Sequence, residues 1–331
     1  MAVDLTRLKP RCGVNPVGSA PAASIDGSSA VDVLVLMACY NRRENTLAVL
    51  RDLCMQRTTE ALDLAAVVYD AGSDDGTADA VIADFPWVQL IRGETSVYWA
   101  RSMEITQRHG LAVWAPRYLL WLNDDTALND DALARALGIA RMLDDQTVVT
   151  GALRDRETGV TTYTAMRRAG RRPTQLERVH PTDSAQPVDT FNGNFVLVPH
   201  AVYTAVGAID GRFEHAYGDI DYGFRVAEAG FRTVLAPGYV GSCSRNAVTA
   251  TWRDSTTLRR ERLGLLLGPK AMPVGPYVRF LRKHGPLAWP VYAIAGYAKA
   301  VSLIARRQSI GGWELATDEE PPHVAKVADR A

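Results

Sequence analysis

Short apolar runs alternate with polar turns and helical patterns through the first half of the chain, and this alternation restricts the fold more than any other feature. Residues 31–39 are almost unbroken apolar and rich in β-formers, and a leucine pattern with helical spacing follows over 47–53. Shorter apolar runs at 64–69 and 88–91 are each followed by another helical stretch. Strands that alternate with helices form a mainly parallel sheet with right-handed crossovers. The sequence therefore predicts an α/β fold.

The segment Tyr118-Leu-Leu-Trp-Leu-Asn-Asp-Asp-Thr126 ends an apolar run on an amide and two carboxylates. The run is too short for a free-standing helix, so we predict a strand covered on both faces. Ligands of open α/β sheets bind beyond the carboxyl ends of the strands, where Asn123, Asp124 and Asp125 would lie. Oxygen ligands crowded there suit a hard divalent cation, Mg²⁺ or Mn²⁺. The alternative is a turn that caps a helix starting near Asp130.

Composition excludes some classes of protein. The 331 residues include 37 basic and 37 acidic side chains, and the absence of net charge argues against a general nucleic-acid binder. The four cysteines are scattered without a C-x-x-C pair, so no zinc knuckle is indicated and a reducing cytoplasm fits. The loop after the first predicted strand lacks G-x-G-x-x-G and the Lys-bearing phosphate loop, which disfavours dinucleotide and nucleoside triphosphatase sites.

Polar motifs follow three of the predicted strands. They are Tyr40-Asn41-Arg42, Asp70-Ala-Gly-Ser-Asp-Asp-Gly-Thr77 and Asn123-Asp-Asp125. Their order and shared position at strand ends resemble the nucleotide-sugar half of a family 2 glycosyltransferase of GT-A fold, over roughly residues 31–245. The resemblance implies a mainly parallel sheet flanked by helices, a nucleotide-diphosphate sugar donor, and hexosyl or deoxyhexosyl transfer like that of bacterial rhamnosyltransferases.

The resemblance places the residues after the first two strands at the donor nucleotide. Tyr40 can offer a ring face to a base, a contact worth about 1–3 kcal/mol, although an ordinary aromatic strand end is the alternative. Asp70 can accept a hydrogen bond from a base N–H, and in the family this position reads the nucleobase. Asn41 and Arg42 are assigned to the same donor site.

The third motif resembles the D-x-D of the family. Asp125 takes the last position, where a carboxylate holds the metal that bridges the diphosphate. Asn123 replaces the first acid and is expected to be a neutral ligand or a neighbour of the ligands, with Asp124 beside it in the donor site. Arg101 lies in a stretch that approaches the sugar diphosphate in the family, and we expect it to neutralise a phosphate.

A second acidic motif, Gly218-Asp-Ile-Asp221, precedes an Ala-rich helical pattern. The family carries an acidic pair here, usually Glu-Asp, whose Asp deprotonates the acceptor hydroxyl. Gly218 stands in place of the Glu, and Asp219 matches the Asp, so Asp219 is the candidate general base, with helix capping as the alternative. We predict Asp221 to be the N-cap of the helix. Asn192, which precedes another apolar strand, is assigned to donor binding.

The C-terminal third departs from this pattern. Basic residues flank the apolar run 287–305, which approaches membrane-spanning length but is interrupted by Pro290, Gly296 and Lys299. We predict that residues 259–307 form helices that bind anionic lipid on the inner face of the cell membrane without crossing it. The alternative is a helix pair docked on the catalytic domain or on a second subunit, as in a homodimer.

The expected organisation has four parts. Residues 1–30 lack the apolar region of a signal peptide and read as a disordered leader. A GT-A domain over 31–245, a basic and aromatic helical extension over 246–313 and a polar tail over 314–331 follow. Within the domain, residues 167–187 are Arg-rich and interrupted by proline, and we expect a mobile loop near the acceptor there.

The sequence thus predicts an inverting, metal-dependent glycosyltransferase that acts on a glycan or polyprenyl-linked acceptor in cell-surface polysaccharide synthesis. A sugar-1-phosphate nucleotidyltransferase shares the fold and the metal, but it needs a Gly-rich, Arg- and Lys-bearing loop that residues 37–43 do not form. A non-catalytic carbohydrate-binding or scaffold protein stays open because of Asn123 and Gly218.

Overall fold

A computed structural model of the protein describes residues 29–59, 61–244 and 251–306, and the predicted leader, the polar tail and Arg307 lie wholly or almost wholly outside these ranges. The strands are β1 (Ser29–Cys39), β2 (Leu64–Asp70), β3 (Val88–Arg92), β4 (Trp114–Leu122), β5 (Ala127–Leu128), β6 (Thr147–Arg154), β7 (Thr161–Tyr163), β8 (Met166–Arg168), β9 (Leu176–Arg178), β10 (Gln186–Val188), β11 (Phe195–Pro199) and β12 (Arg232–Ser242). The α-helices are α1 (Arg43–Thr59), α2 (Thr77–Asp84), α3 (Trp99–Leu111), α4 (Ala132–Met142), α5 (His200–Val206), α6 (Gly218–Glu228), α7 (Arg259–Leu266), α8 (Val274–His284) and α9 (Trp289–Ala305).

The central sheet has the order β10-β12-β6-β11-β4-β1-β2-β3, with β5 and β7 paired to β12 and β6. Strands β1 to β4 run parallel to one another, and so do β6 and β12. Strand β11 lies antiparallel between β4 and β6 and joins these two halves. The prediction of a mainly parallel sheet flanked by helices is confirmed.

Helices cover both faces of the sheet, and the strand sequences show it. Leu34 and Leu36 of β1 belong to one buried apolar cluster, whereas Val33, Val35 and Met37 belong to the other. Alternate side chains of a strand point to opposite faces, so a strand buried on both sides must be apolar at every position. This explains why the interiors of β1 and β2 and the end of β4 are nearly unbroken apolar runs.

The strand register aligns the polar motifs at one edge. Cys39 at the end of β1 pairs with Asp70 at the end of β2, so Tyr40 and the turn after Asp70 begin side by side. Strand β4 runs parallel to β1 on its other side and ends at Leu122, directly before Asn123. The donor motifs therefore meet at the carboxyl edge of the sheet, as the sequence predicts.

Residues 167–187 are more ordered than the expected mobile loop. They contain parts of β8 and β10 and the whole of β9, and β8 pairs with β9 in an antiparallel ribbon. The guanidinium of Arg168 stacks on Phe224 at 3.8 Å from the ring centroid, and Arg172 lies over Tyr292 at 4.8 Å. Aromatic side chains of α6 and α9 thus contact two arginines of this segment. These contacts join residues far apart in the chain, so the local sequence does not indicate them.

The C-terminal helices differ in how they attach. Tyr277, Phe280 and Leu281 of α8 belong to a large core cluster that also contains residues of β1 and β4. Helices α7 and α9 share a small separate cluster of Trp252, Leu266, Ala300 and Ile304. No helix within the described ranges is long and apolar enough to cross a membrane.

Candidate active site

The loops after β1 and β2 hold each other in place. Asn41 has a left-handed backbone with φ of 48°, and its N–H donates to Ser73 Oγ at 2.9 Å. Its side-chain oxygen accepts from the Asp74 N–H at 2.9 Å, while the Arg43 N–H donates to Asp75 Oδ2 at 3.0 Å. Asn41 therefore links the two motifs through its backbone N–H and its side-chain oxygen.

Asp70 presents one free oxygen at this edge. The residue is 2% exposed, and its Oδ1 accepts from the Ser73 N–H at 2.8 Å. Its Oδ2 is buried without a hydrogen-bond partner. A buried acceptor without a partner is costly, so a donor N–H from a bound molecule would stabilise it. Tyr40 lies beside this edge with 51% of its surface exposed, as a stacking platform requires.

Arg42 joins the loop after β1 to the loop after β4. Its guanidinium Nη1 donates to Asp125 Oδ2 at 2.5 Å and to Asp124 Oδ1 at 3.1 Å. Burial raises the pKa of the Asp124 carboxyl to about 7 in spite of the Arg42 charge, and the charge of Asp125 adds to the rise. The two carboxylates thus share one cation, Arg42.

Asp125 keeps one oxygen available for a ligand. Its Oδ1 is buried and has no hydrogen-bond partner, whereas the Asn123 Oδ1 is already occupied. In the described ranges no three His, Cys, Asp or Glu side chains come together as a metal site. Mg²⁺ is commonly held by one or two carboxylates together with substrate phosphates, and the free oxygen of Asp125 fits that mode.

Asn123 is oriented by an aromatic side chain. Trp99 Nε1 donates to Asn123 Oδ1 at 2.9 Å, and the Asn123 N–H donates to the Asn194 carbonyl at 3.2 Å. A Cβ built on Gly193 would lie 2.2 Å from the Trp99 ring, so only glycine leaves room for this contact. Trp99 therefore links the end of β4 to the loop before β11.

Asp219 lies in the first turn of α6 and is held by backbone groups. The Gly193 N–H donates to its Oδ2 at 3.1 Å, and the Ile220 N–H donates to its Oδ1 at 2.8 Å. Asn192 also contributes a side-chain hydrogen bond to this carboxyl. Burial raises the pKa of Asp219 to about 6, although these hydrogen bonds oppose the rise. A carboxylate of this kind accepts a proton more readily than an ordinary Asp.

Gly218 has no room for the glutamate of the family pair. A Cβ at this position would lie 2.8 Å from the Ala100 Cβ and 3.3 Å from Ile209 Cδ1. The first turn of α6 packs directly on α3 here. This close packing explains why glycine replaces the acid at position 218. Asp219 then stands as the single acid of the pair.

The prediction that Asp221 caps α6 is wrong. The N-cap is Tyr217, and both Asp219 and Asp221 lie in the first turn. The Asp221 side chain is fully buried and pairs with Arg225 at 2.8 Å. Burial opposes its ionisation, yet hydrogen bonds from His284 and Lys283 outweigh this effect and lower the pKa of Asp221.

Arg101 lies apart from the acidic edge. It is exposed on α3 and pairs with Glu104 at 2.5 Å. With Tyr98, Arg212 and Glu214 it lines an open cleft next to the site. The structure does not bring Arg101 into contact with Asp124 or Asp125, so its phosphate role stays a prediction.

Two site features were not found from the sequence. Cys243, which is 4% exposed, lies beside Asp125, and burial followed by the charge of Asp125 raises the pKa of its thiol well above the usual range. The bond from Trp99 to Asn123 was also missed. Cys243 directly follows β12, and this position at a strand end could have indicated that it lies near the site. No local pattern indicated which tryptophan reaches Asn123.

The acidic turns at the carboxyl edge of the mixed sheet and the backbone-held carboxylate of Asp219 together form one candidate active site. The family described as "Glycosyltransferase like family 2" matches residues 30–263, and the chain belongs to this family. The two motifs that differ from its usual acids, at Asn123 and Gly218, both lie inside the matched region.

Two solved structures with a TM-score of 0.50 show the same fold. The chain is similar to GalNAc-T7 with UDP, GalNAc and Mn²⁺, with a TM-score of 0.50, 11% identity, and coverage of 82% of this chain and 57% of that one. It is similar to S. aureus TarS, with a TM-score of 0.50, 12% identity, and coverage of 83% and 55%. A mannosyltransferase from Pyrobaculum calidifontis in complex with GDP-Man and Mn²⁺ gives a TM-score of 0.48, 19% identity, and coverage of 85% and 77%. A sequence search among curated proteins found no match.

Proposed function

We propose that the protein transfers a sugar from a nucleotide-diphosphate donor to an acceptor hydroxyl with inversion at the anomeric carbon. Tyr40 stacks on the base and Asp70 Oδ2 accepts from a base N–H. Asp219 removes the acceptor proton during direct displacement of the nucleoside diphosphate. The acceptor class we propose is a glycan or a lipid-linked precursor in cell-surface polysaccharide synthesis, with a hexose or deoxyhexose as the transferred sugar.

One observation carries this proposal. Trp99 binds Asn123 at the end of β4 and also packs against Gly193, whose N–H holds Asp219. The donor edge and the proposed base are therefore fixed to each other through two shared residues. A base and a leaving group held in one rigid frame supply the positioning that direct displacement needs.

The residues at the end of β4 fit a divalent cation, Mg²⁺ or Mn²⁺. Asp125 would hold it through its free Oδ1, with the remaining ligands coming from the donor diphosphate. Such a cation neutralises charge on the departing diphosphate. Arg42 and Asp124 set the charge around Asp125, and Arg42 can also reach a phosphate when its carboxylate partners bind another cation.

The test begins with a panel of UDP-, GDP- and dTDP-sugars, scored by nucleoside diphosphate release and by thermal stabilisation with Mg²⁺ or Mn²⁺. With the best donor, Asp219→Asn should lower kcat by about 10²–10⁴-fold and leave donor affinity almost unchanged. Asp183→Asn, an exposed position in the same domain, is the matched control and should behave as wild type.

Wild-type kcat in Asp219→Asn would remove the base from the proposal. Pyrophosphate consumption with a sugar 1-phosphate would instead favour the nucleotidyltransferase. Donor binding without turnover, for every acceptor in the panel, would favour a carbohydrate-binding protein.

The proposal includes attachment to the membrane surface through α7 to α9. Val291, Ile294 and Val301 of α9 are 63%, 71% and 45% exposed, and their spacing of three and seven residues places them on one helical face. Leu287, in the turn just before this helix, is 99% exposed. Arg259 lies at the C-terminal end of this face, where its guanidinium donates to the Ala305 carbonyl at 2.6 Å. An exposed apolar face next to basic residues is typical of helices that bind anionic lipid surfaces.

Vesicle flotation tests this attachment. The full chain should float with vesicles containing anionic phosphatidylserine at low salt and less at high salt, since each basic residue near the surface contributes about 1 kcal/mol. Ile294→Ser combined with Val291→Ser should reduce flotation, whereas Ile82→Ser, at an apolar residue of α2 that is 53% exposed, should not. The attachment would be contradicted if the wild type did not float and instead formed a soluble dimer. If that dimer dissociated in the double variant, a second copy of the chain would cover this face.

A further inference from the structure

Helix α8 lies beyond the region matched by the family, which ends at residue 263, yet it packs on the helix that carries Asp219. Phe280 is fully buried and stacks on Tyr217 with ring centroids 5.0 Å apart and on Phe224 at 5.9 Å. Tyr277 lies 5.9 Å from the Tyr217 ring. The contacts of α8 thus concentrate on the start and the middle of α6.

Tyr217 is the residue that sets the start of α6. Its backbone has φ of 72° and ψ of −7°, a left-handed conformation that is strained for an aromatic residue. Such a conformation persists only where surrounding contacts fix it. The stacked rings of α8 supply those contacts, and Asp219 follows two residues later.

The last turn of α8 also binds the first turn of α6. Lys283 Nζ donates to Asp221 Oδ1 at 2.6 Å, and His284 Nε2 lies 2.8 Å from the same oxygen. The other ring nitrogen of His284 lies 3.0 Å from Glu228 Oε1, and the imidazole is fully buried. Arg225 completes the set at 2.8 Å from Asp221 Oδ2.

Helix geometry turns this cluster into a constraint on Asp219. Residues two apart on an α-helix differ by about 200° around the axis, so Asp219 and Asp221 point to nearly opposite sides. Asp221 faces α8 while Asp219 faces Gly193 and the site. The contacts that hold Asp221 therefore also fix the position of the first turn of α6 and its rotation around the helix axis, and with them the direction of the Asp219 side chain.

We propose that Lys283 is a positioning residue for the transfer reaction, which acts by holding Asp221 and thereby aiming the Asp219 carboxylate at the acceptor hydroxyl. This inference rests on the proposed role of Asp219 as the base. It gives α8 a part in positioning the proposed base through its contact with Asp221.

The test compares variants of Lys283, whose side chain is 33% exposed and so tolerates substitution. With the best donor of the UDP-, GDP- and dTDP-sugar panel and water as the acceptor, Lys283→Met should lower kcat by about 10- to 100-fold, as a small displacement of a reacting group does. The KM for the donor should stay within about twofold of wild type, because the donor edge does not depend on α8. Lys283→Arg keeps the charge and should restore most of the rate.

Arg282→Met is the matched control, since Arg282 is the exposed neighbour on the same helix and loses the same charge. Its kcat should equal that of wild type. Unchanged kcat in the folded fraction of Lys283→Met, even with a lower Tm, would overturn the inference and leave a purely structural contact. Failure of Lys283→Arg to restore the rate would also overturn it.

Asp219→Asn in the same series separates the two proposals. If Asp219→Asn is inactive and Lys283→Met is fully active, only the positioning inference fails. If Asp219→Asn is fully active, the base assignment itself fails.

Discussion

Two acidic pairs belong to the candidate active site, and the structure surrounds them with different partners. Asp124 and Asp125 are adjacent at the end of β4 and share the single cation Arg42. Asp219 and Asp221 are separated by one residue on α6, and there the cations gather on Asp221 while Asp219 has only N–H donors. Burial raises the pKa of Asp124, in spite of Arg42, and the pKa of Asp219, whereas hydrogen bonds from His284 and Lys283 outweigh burial and lower the pKa of Asp221.

The difference shows how backbone geometry assigns roles to carboxylates. Adjacent residues that leave a strand in a tight turn can converge on one partner, which suits a site for a shared cation. Residues two apart on a helix diverge, so one can face substrate while the other is tied into the core. The second arrangement keeps a base free of cations that would lower its pKa and weaken it as a proton acceptor.

The largest effect on activity is expected when one acid of the first pair is removed. Asp125→Ala should lower transfer by about 10³-fold or more, because it removes the unpartnered Oδ1 at the proposed cation site and with it several kcal/mol of charge stabilisation. It should also abolish Mg²⁺- or Mn²⁺-dependent thermal stabilisation by nucleoside diphosphate. Asp124→Ala removes the other partner of Arg42 and should be milder. Equal losses in both variants would contradict the asymmetry of this pair.

The second pair is tested through stability. Asp221→Asn leaves Arg225, Lys283 and His284 around a neutral amide, and removal of one partner from a buried ion cluster costs about 3–5 kcal/mol. We expect a large fall in the midpoint of urea unfolding. Asp219→Asn should change the midpoint far less, since it removes no ion pair. A reversed order would exchange the roles of the two residues.

The smallest effect expected concerns pH. A base must be ionised, and Asp219 has its pKa raised to about 6, so kcat should be level above this pH and fall about tenfold per pH unit below it. The sign follows from protonation, which occupies the lone pair that takes the acceptor proton. Measurement of kcat from pH 4.5 to 8, in the range where circular dichroism shows the folded state, would check this. A rate that stays level to pH 4.5 would show that the base is an ordinary carboxylate or another group.

The fold could be predicted from the sequence because its strands are buried on both faces. Such strands must be apolar throughout, and each one ends at a polar motif, so the order of motifs predicts the acidic edge. Tyr40, Asp70 and Asp125 lie where this argument places them. Their roles in binding stay predictions until a donor complex is measured.

The contacts between distant segments of the chain could not be predicted from the sequence. Lys283 is 62 residues from Asp221 in the chain, and nothing in either local sequence indicates the pairing. The N-cap assignment of Asp221 failed because it relied on the capping preference of Asp. In the structure the helix starts earlier, at a left-handed Tyr217 that no propensity rule favours and that the rings of α8 hold in place.

The position of α8 near the end of the chain also bears on how activity arises during synthesis. Domains fold as the ribosome delivers them, beginning at the N-terminus. The strands that form the donor edge emerge long before residue 283, whereas Tyr217 and Asp221 acquire their partners only when α8 has been made. We expect the carboxylate of Asp219 to reach its final position only after α8 has been made and has packed on α6.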